Sequence, residues 1–243
     1  MAGLSIAIID GGHIVDARAY GYTDSTGGRL VDTTTLFQAG SISKSVAAFA
    51  ALRLVEQGRL DLDTDINSTL RTWKLPSSTF TAAKPVTPRE LLSHTAGLTV
   101  HGFIGYATTA AVPTLVQVLN GTPPANSAPI RKDTFPGARY NYSGGGYTIL
   151  QQMMLDVSTT SFPEIMRTNV LAPLRMERSS YEQPPTRPMA RGTAAGHYQD
   201  GSLVPGAGTS IPKWPRRDCG QHHRISPGSP LRCRRHTQVS RPG

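Results

Sequence analysis

Cysteine is almost absent from this chain. Its 243 residues include two, Cys219 and Cys233, both near the C-terminal end. The body therefore does not depend on a disulfide framework. Long apolar runs are missing too. None reaches the roughly 20 residues that a membrane-crossing helix needs, so no membrane span is expected. The start lacks the basic and then apolar pattern of a signal peptide. Met1-Ala2-Gly3 passes directly into Leu4-Ser5-Ile6-Ala7-Ile8-Ile9, which reads as a strand, and a cytoplasmic location is expected from that. Hydrophobic residues make up 38%, with 24 Gly and 19 Pro, which is lean for a core and rich in turns. Acidic residues are scarce from Lys213 onward, where eight basic side chains meet only Asp218. Most of the formal +9 charge lies there, so the body is near neutral and a nucleic-acid partner is not expected.

The chain is organised around Phe37-Gln38-Ala39-Gly40-Ser41-Ile42-Ser43-Lys44-Ser45. A serine hydroxyl is a weak nucleophile at neutral pH and needs a base beside it. Side chains three apart on a helix are neighbours, so Lys44 can point its amine at the Ser41 hydroxyl. Burial would lower the lysine pKa by disfavouring its charged form. The following Val46-Ala47-Ala48-Phe49-Ala50-Ala51-Leu52 is apolar all round, as in a helix enclosed by its domain, and Gly58 is a fitting end to it. Ser-x-x-Lys alone is a common pattern, and Ser41 or Ser43 could equally cap a helix.

Other stretches give the context. Leu4–Ile9, Asp10-Gly11-Gly12 and Ile14–Tyr22 read as strand, turn and strand. The alternating Leu60–Ile66 reads as a surface segment whose acids are solvated. Thr87-Pro88-Arg89-Glu90 opens a helix with a capping box and proline at its first position. His94 follows, either as a general base or as an imidazole hydrogen-bonded to nearby backbone; the second is favoured because no carboxylate pairs with it. Residues 99–139 are rich in loops, with one helical run at Pro113–Leu119. Then comes Arg139-Tyr140-Asn141-Tyr142-Ser143-Gly144-Gly145-Gly146-Tyr147, whose glycines allow close backbone approach. A helix is expected from Tyr147 to Val157, with Ile149, Leu150, Met153, Met154 and Val157 facing the core. Another is expected over Phe162–Val170.

In this order the segments around Ser41, Leu91-Leu92-Ser93-His94-Thr95-Ala96-Gly97-Leu98 and Pro136–Tyr147 resemble the serine β-lactamase-like superfamily. It includes class C β-lactamases, family VIII esterases and penicillin-binding DD-peptidases. The resemblance implies an α/β (α+β) fold, with an antiparallel sheet flanked by helices and an all-helical region. It implies that Ser41 is acylated, that Lys44 helps to deprotonate it, and that Tyr142 shuttles the proton to the leaving group. It also implies substrate contacts at Gly40, Ser143, Gly144 and Gly145, with no cofactor and no metal. Tyr142 is preferred over Tyr140 because Ser-Gly-Gly-Gly follows it. The implied partner is a small acyl substrate (ester, β-lactam or D-amino-acid peptide). Gly144 stands where the family often has asparagine, which tilts the expectation away from β-lactams and towards esters or another small acyl compound. The oligomeric state is left open.

The resemblance covers about residues 3–205. The expected organisation is a partial hydrolase domain over 1–205 and a basic, Pro/Arg-rich tail over 206–243, disordered or frameshifted. The family's third motif, which completes the oxyanion hole from a C-terminal strand, is not found after Pro205. The chain looks clipped at both ends, and its turnover is expected to be low or nil. Two rival readings remain: a non-catalytic binding protein with the same fold, and a zinc-stabilised nucleic-acid module on Cys219, His222, His223, Cys233 and His236.

Overall fold

A computed structural model describes residues 3–203 apart from 25, 107–109, 184 and 198–201. The expectations about 206–243, including the cysteine and histidine cluster, lie outside these residues. Strands β1 (Leu4–Asp10) and β2 (His13–Tyr20) pair antiparallel as a hairpin. Asp10 pairs with His13 across Gly11 and Gly12, both with positive φ, the backbone that a two-residue hairpin turn demands. Among the described residues these are the two strands of the sheet. Leu4, Ile6, Ile8, Ile9, Ile14 and Val15 are all exposed, so both faces of the hairpin are open.

The rest is helical. The chain enters a 3-10 turn at Gly40–Ile42 and continues as α1 (Ser43–Glu56). Four short helices follow: α2 (Ile66–Thr69), α3 (Thr79–Ala83), α4 (Pro88–Leu92) and α5 (Leu115–Asn120). Next come α6 (Gly144–Asp156) and α7 (Phe162–Met166), the latter running into a π-helical turn at Arg167–Leu171. The last is α8 (Arg187–Gly192). This mixture of helices and antiparallel strands is the expected class.

The core lies between α1, α6 and α7. Ala47, Ala50, Ala51 and Leu54 of α1 are sealed, as are Ile149, Leu150, Met153 and Met154 of α6 and Phe162, Ile165 and Met166 of α7. Alanines on α1 let its backbone come close to its neighbours. Each large side chain enclosed here contributes roughly 1.5–3 kcal/mol relative to exposure. Helix α1 is not enclosed all round, however. Phe49 and Leu52 face solvent, because nothing among the described residues covers that side.

Local signals explain the short helices. Thr87 and Glu90 form the full capping box at α4, with Pro88 in the first turn. Glu90 also accepts a hydrogen bond from Lys84 Nζ at 2.7 Å. Thr114 and Gln117 form a second box, so α5 starts two residues after the expected Pro113. Leu60 and Ile66 are buried, so that segment is anchored as well as solvated. Arg89 grips Asp63 with two bonds of 2.7 Å, and Asp65 caps α2.

Candidate active site

Gly40 has φ +50°, which a residue with a Cβ adopts at a cost, and it turns the chain into the 3-10 segment. Ser41 stands in that turn and Lys44 in the first turn of α1. Their spacing brings Lys44 Nζ to 3.1 Å from Ser41 Oγ, as a donor. Tyr142 comes from the strap before α6, 101 positions further along. Its hydroxyl donates to the same Ser41 Oγ at 2.9 Å. Lys44 Nζ also lies 5.2 Å from the centre of the Tyr142 ring. Ser41 is exposed, while Lys44 and Tyr142 are half-buried. The structure thus brings together Ser41, Lys44 and Tyr142, with Gly40 next to them. Tyr140 lies open to solvent.

The other three sequence candidates are placed differently. Ser143, Gly144 and Gly145 are buried. The Ser143 hydroxyl accepts from Gly146 N–H at 2.9 Å, which caps α6 and starts it at Gly144 rather than at Tyr147. The amides of Gly144 and Gly145 donate to the His101 and Val100 carbonyls. A Cβ on Gly145 would stand 3.0 Å from the Thr99 oxygen. The close approach expected of this glycine run is therefore made to the 99–103 strap and Ile130. The amides of Gly144 and Gly145 are thus engaged within the protein.

His94 sits at the end of the turn after α4 with φ +58°. Its Nδ1 accepts from Ser143 N–H at 3.1 Å, and its carbonyl accepts from Asn141 N–H at 2.7 Å. Of the two readings of this residue, the geometry matches the backbone-bonded imidazole. Its ring lies against Tyr142 and Tyr147, with centroids 4.5 and 5.0 Å away. Burial, and then the charge of Lys44, push its pKa below the ordinary histidine value. The Tyr147 phenol is pushed up by burial and by Tyr142 and Tyr140, and its hydroxyl donates to the Leu92 carbonyl at 3.2 Å. Sequence reasoning passed over His101, whose Nδ1 lies 2.6 Å from the Tyr142 carbonyl. No local pattern marks it, since the contact spans 41 positions.

Among the described residues no group of three or more His, Cys, Asp or Glu could hold a metal ion. No helix there is long and apolar enough to cross a membrane. An apolar groove of about 530 Å³ runs past Phe37, Ala39, Ile42 and Val46 towards Tyr181 and Met189. It borders the segment that carries Ser41, although none of Ser41, Lys44 and Tyr142 lines it.

Comparison with known proteins adds the following. A family model described as Beta-lactamase matches residues 1–223, which reaches beyond the residue 205 expected from the sequence resemblance. Protein flp of Staphylococcus aureus is 26% identical over 203 residues, 82% of this chain and 38% of that protein. The teichoic acid D-alanine hydrolase of the same organism is 24% identical over 195 residues, 78% of this chain and 44% of the hydrolase. The chain therefore spans less than half the length of these curated relatives. Among solved structures, the octameric penicillin-binding protein homologue from Pyrococcus abyssi superposes with a TM-score of 0.67 at 27% identity. The match covers 89% of this chain and 48% of that one.

Proposed function

The chain belongs to the Beta-lactamase family, and on that premise we propose that it is a serine hydrolase working through an acyl-enzyme on Ser41. The carrying observation is that Lys44 Nζ and the Tyr142 hydroxyl meet at one oxygen, Ser41 Oγ, at 3.1 and 2.9 Å. In this reading Tyr142 reacts with its oxygen deprotonated beside the Lys44 ammonium; Ser41 Oγ attacks the acyl carbon as its proton passes to that oxygen. The tetrahedral adduct collapses, and the Tyr142 hydroxyl protonates the departing oxygen or nitrogen. Water then attacks the acyl-serine by the reverse path and restores the Ser41 hydroxyl. Gly40 acts by setting the turn that presents Ser41.

The substrate class we propose is a small acyl compound, with esters ahead of β-lactams and D-amino-acid peptides. Support comes from Gly144, which brings no side-chain amide to the site, and from a relative named as a D-alanine hydrolase. Neither a cofactor nor a metal takes part in the steps above. The rival is a binding protein that keeps the fold without the chemistry.

Intact-mass spectrometry after exposure to a fluorophosphonate, and separately to a penicillin, tests the proposal beside Ser41→Ala. One adduct on Ser41, absent from the variant, is the expected result. A folded chain that takes no adduct from either reagent would favour the binding protein.

A further inference from the structure

The peptide between Tyr142 and Ser143 is held at both ends by imidazoles from different parts of the chain. The Tyr142 carbonyl accepts a hydrogen bond from His101 Nδ1 at 2.6 Å. The Ser143 N–H donates to His94 Nδ1 at 3.1 Å. The two bonds make opposite demands on their rings. His101 must carry a proton on Nδ1, which both its neutral tautomer and its cation allow. His94 must present a bare Nδ1 lone pair, which exists only in the neutral ring protonated on Nε2.

The surroundings make this grip on the backbone a grip on the reacting phenol. The His94 carbonyl also takes the Asn141 N–H at 2.7 Å, so His94 binds the strap on both sides of Tyr142. Its ring packs against the Tyr142 ring at 4.5 Å between centroids, tilted by 34°. Two χ angles separate that ring from a backbone fixed at three points. The phenol oxygen has little freedom left other than the position 2.9 Å from Ser41 Oγ. Displacing a reacting group by about 1 Å can lower a rate by roughly 100-fold.

We propose that His94 and His101 are positioning residues that clamp the Tyr142–Ser143 peptide and so hold the Tyr142 hydroxyl on Ser41, and that the clamp opens when His94 takes up a proton. The proposal rests on the reading of Tyr142 as a reacting group. A protonated His94 would lose the Ser143 bond and would set a second cation beside Lys44. The groups facing His94 are Lys44 on α1, Tyr140 and Tyr142 on the strap, and Tyr147 on α6. Among the described residues the influences that shift its titration are burial and Lys44, with no carboxylate among them. Burial and Lys44 both favour the neutral ring, which keeps the clamp closed at neutral pH. The left-handed backbone at His94 also suits asparagine, whose side-chain oxygen can accept from Ser143 N–H without titrating.

The test pairs a structural readout with a chemical one. Chain labelled with 15N-histidine is titrated from pH 8 to pH 4 by NMR, following the His94 ring nitrogens and the Ser143 amide. The rate of fluorophosphonate labelling of Ser41 is measured over the same range. The proposal expects a bare His94 Nδ1 at pH 7.5. It also expects the Ser143 amide and the labelling rate to change with the midpoint of His94, below that of a free imidazole. His94→Ala should slow labelling about 10- to 100-fold at pH 7.5. His94→Asn should recover most of that rate and lose the pH step, and circular dichroism verifies that both variants fold. If His94 and the Ser143 amide titrate together while Ser41 takes no label at any pH, the clamp stands and the hydrolase reading fails. If the Ser143 amide ignores His94, or His94→Asn keeps the pH step, the clamp is overturned.

Discussion

Leu4, Ile6 and Ile8 of the hairpin lie open to solvent, whereas Leu150, Met153 and Met154 of α6 are fully enclosed. Both runs are apolar, and both form the element that their pattern predicts. They differ in what covers them. Helix α6 has α1, α4, α5 and α7 around it, while β1 and β2 have chiefly each other. A hairpin of two strands is marginal by itself, because neither its edges nor its faces are satisfied. The same contrast runs through α1, where Ala47, Ala50 and Leu54 are sealed while Phe49 and Leu52 are bare. Ser41, Lys44 and Tyr142 all belong to the helical body. The candidate site is thus built on the side of the molecule that packs against itself.

Changes in the body should therefore matter more than changes in the hairpin. Leu150→Ala should cost about 2–5 kcal/mol in urea unfolding, because it empties a fully enclosed position. A loss within about 0.5 kcal/mol would show that the core is not where the stability lies. Gly145→Ala should cost about 1–3 kcal/mol, since the new Cβ would meet the Thr99 oxygen and Ile130 at 3.0 Å. It should also slow labelling of Ser41, because the start of α6 carries the Tyr142 strap; unchanged labelling would separate the two.

Acid should act on the body through His94. Its pKa is lowered in the folded chain, so between that lowered value and the ordinary histidine value of 6.5 the unfolded chain binds more protons. Stability is then full above pH 6.5 and declines as pH falls below it. The decline should be shallower in His94→Asn, as followed by thermal melts from pH 7.5 to 5. The smallest effect belongs to the hairpin. Ile8→Thr lies on an exposed face and should change stability by no more than about 0.5 kcal/mol. It should lower self-association measured by light scattering; a large stability loss would mean that the hairpin is packed in solution.

Where chemistry is local, the sequence was readable. Thr87 and Glu90 announced their capping box, Gly11-Gly12 announced the hairpin turn, and the three-residue step from Ser41 to Lys44 announced their contact. Tyr142 was separated from Tyr140 by the register of the following Ser-Gly-Gly-Gly. The box at Thr114 and Gln117 was equally visible, although it was not read. What stayed hidden depends on contacts between distant segments. The packing of Gly144 against Phe103 and of Gly145 against Thr99 and Ile130 is of this kind, and so is the identity of the backbone partner expected for His94, which is Ser143, 49 positions away. The exposure of Phe49 depends on which layers surround α1, and a single helix's pattern does not contain that.

The central claim is that the helical body assembles a reactive Ser41 independently of the hairpin. It is tested most directly by the rate of fluorophosphonate labelling of Ser41 in the unaltered chain, in Tyr142→Phe and in an Ile6→Thr, Ile8→Thr double variant. Tyr142→Phe should slow labelling by roughly 100-fold or more, as loss of a proton-transfer group does, while the hairpin variant should label at the unaltered rate. Equal rates in Tyr142→Phe, or loss of labelling in a folded hairpin variant, would contradict the account.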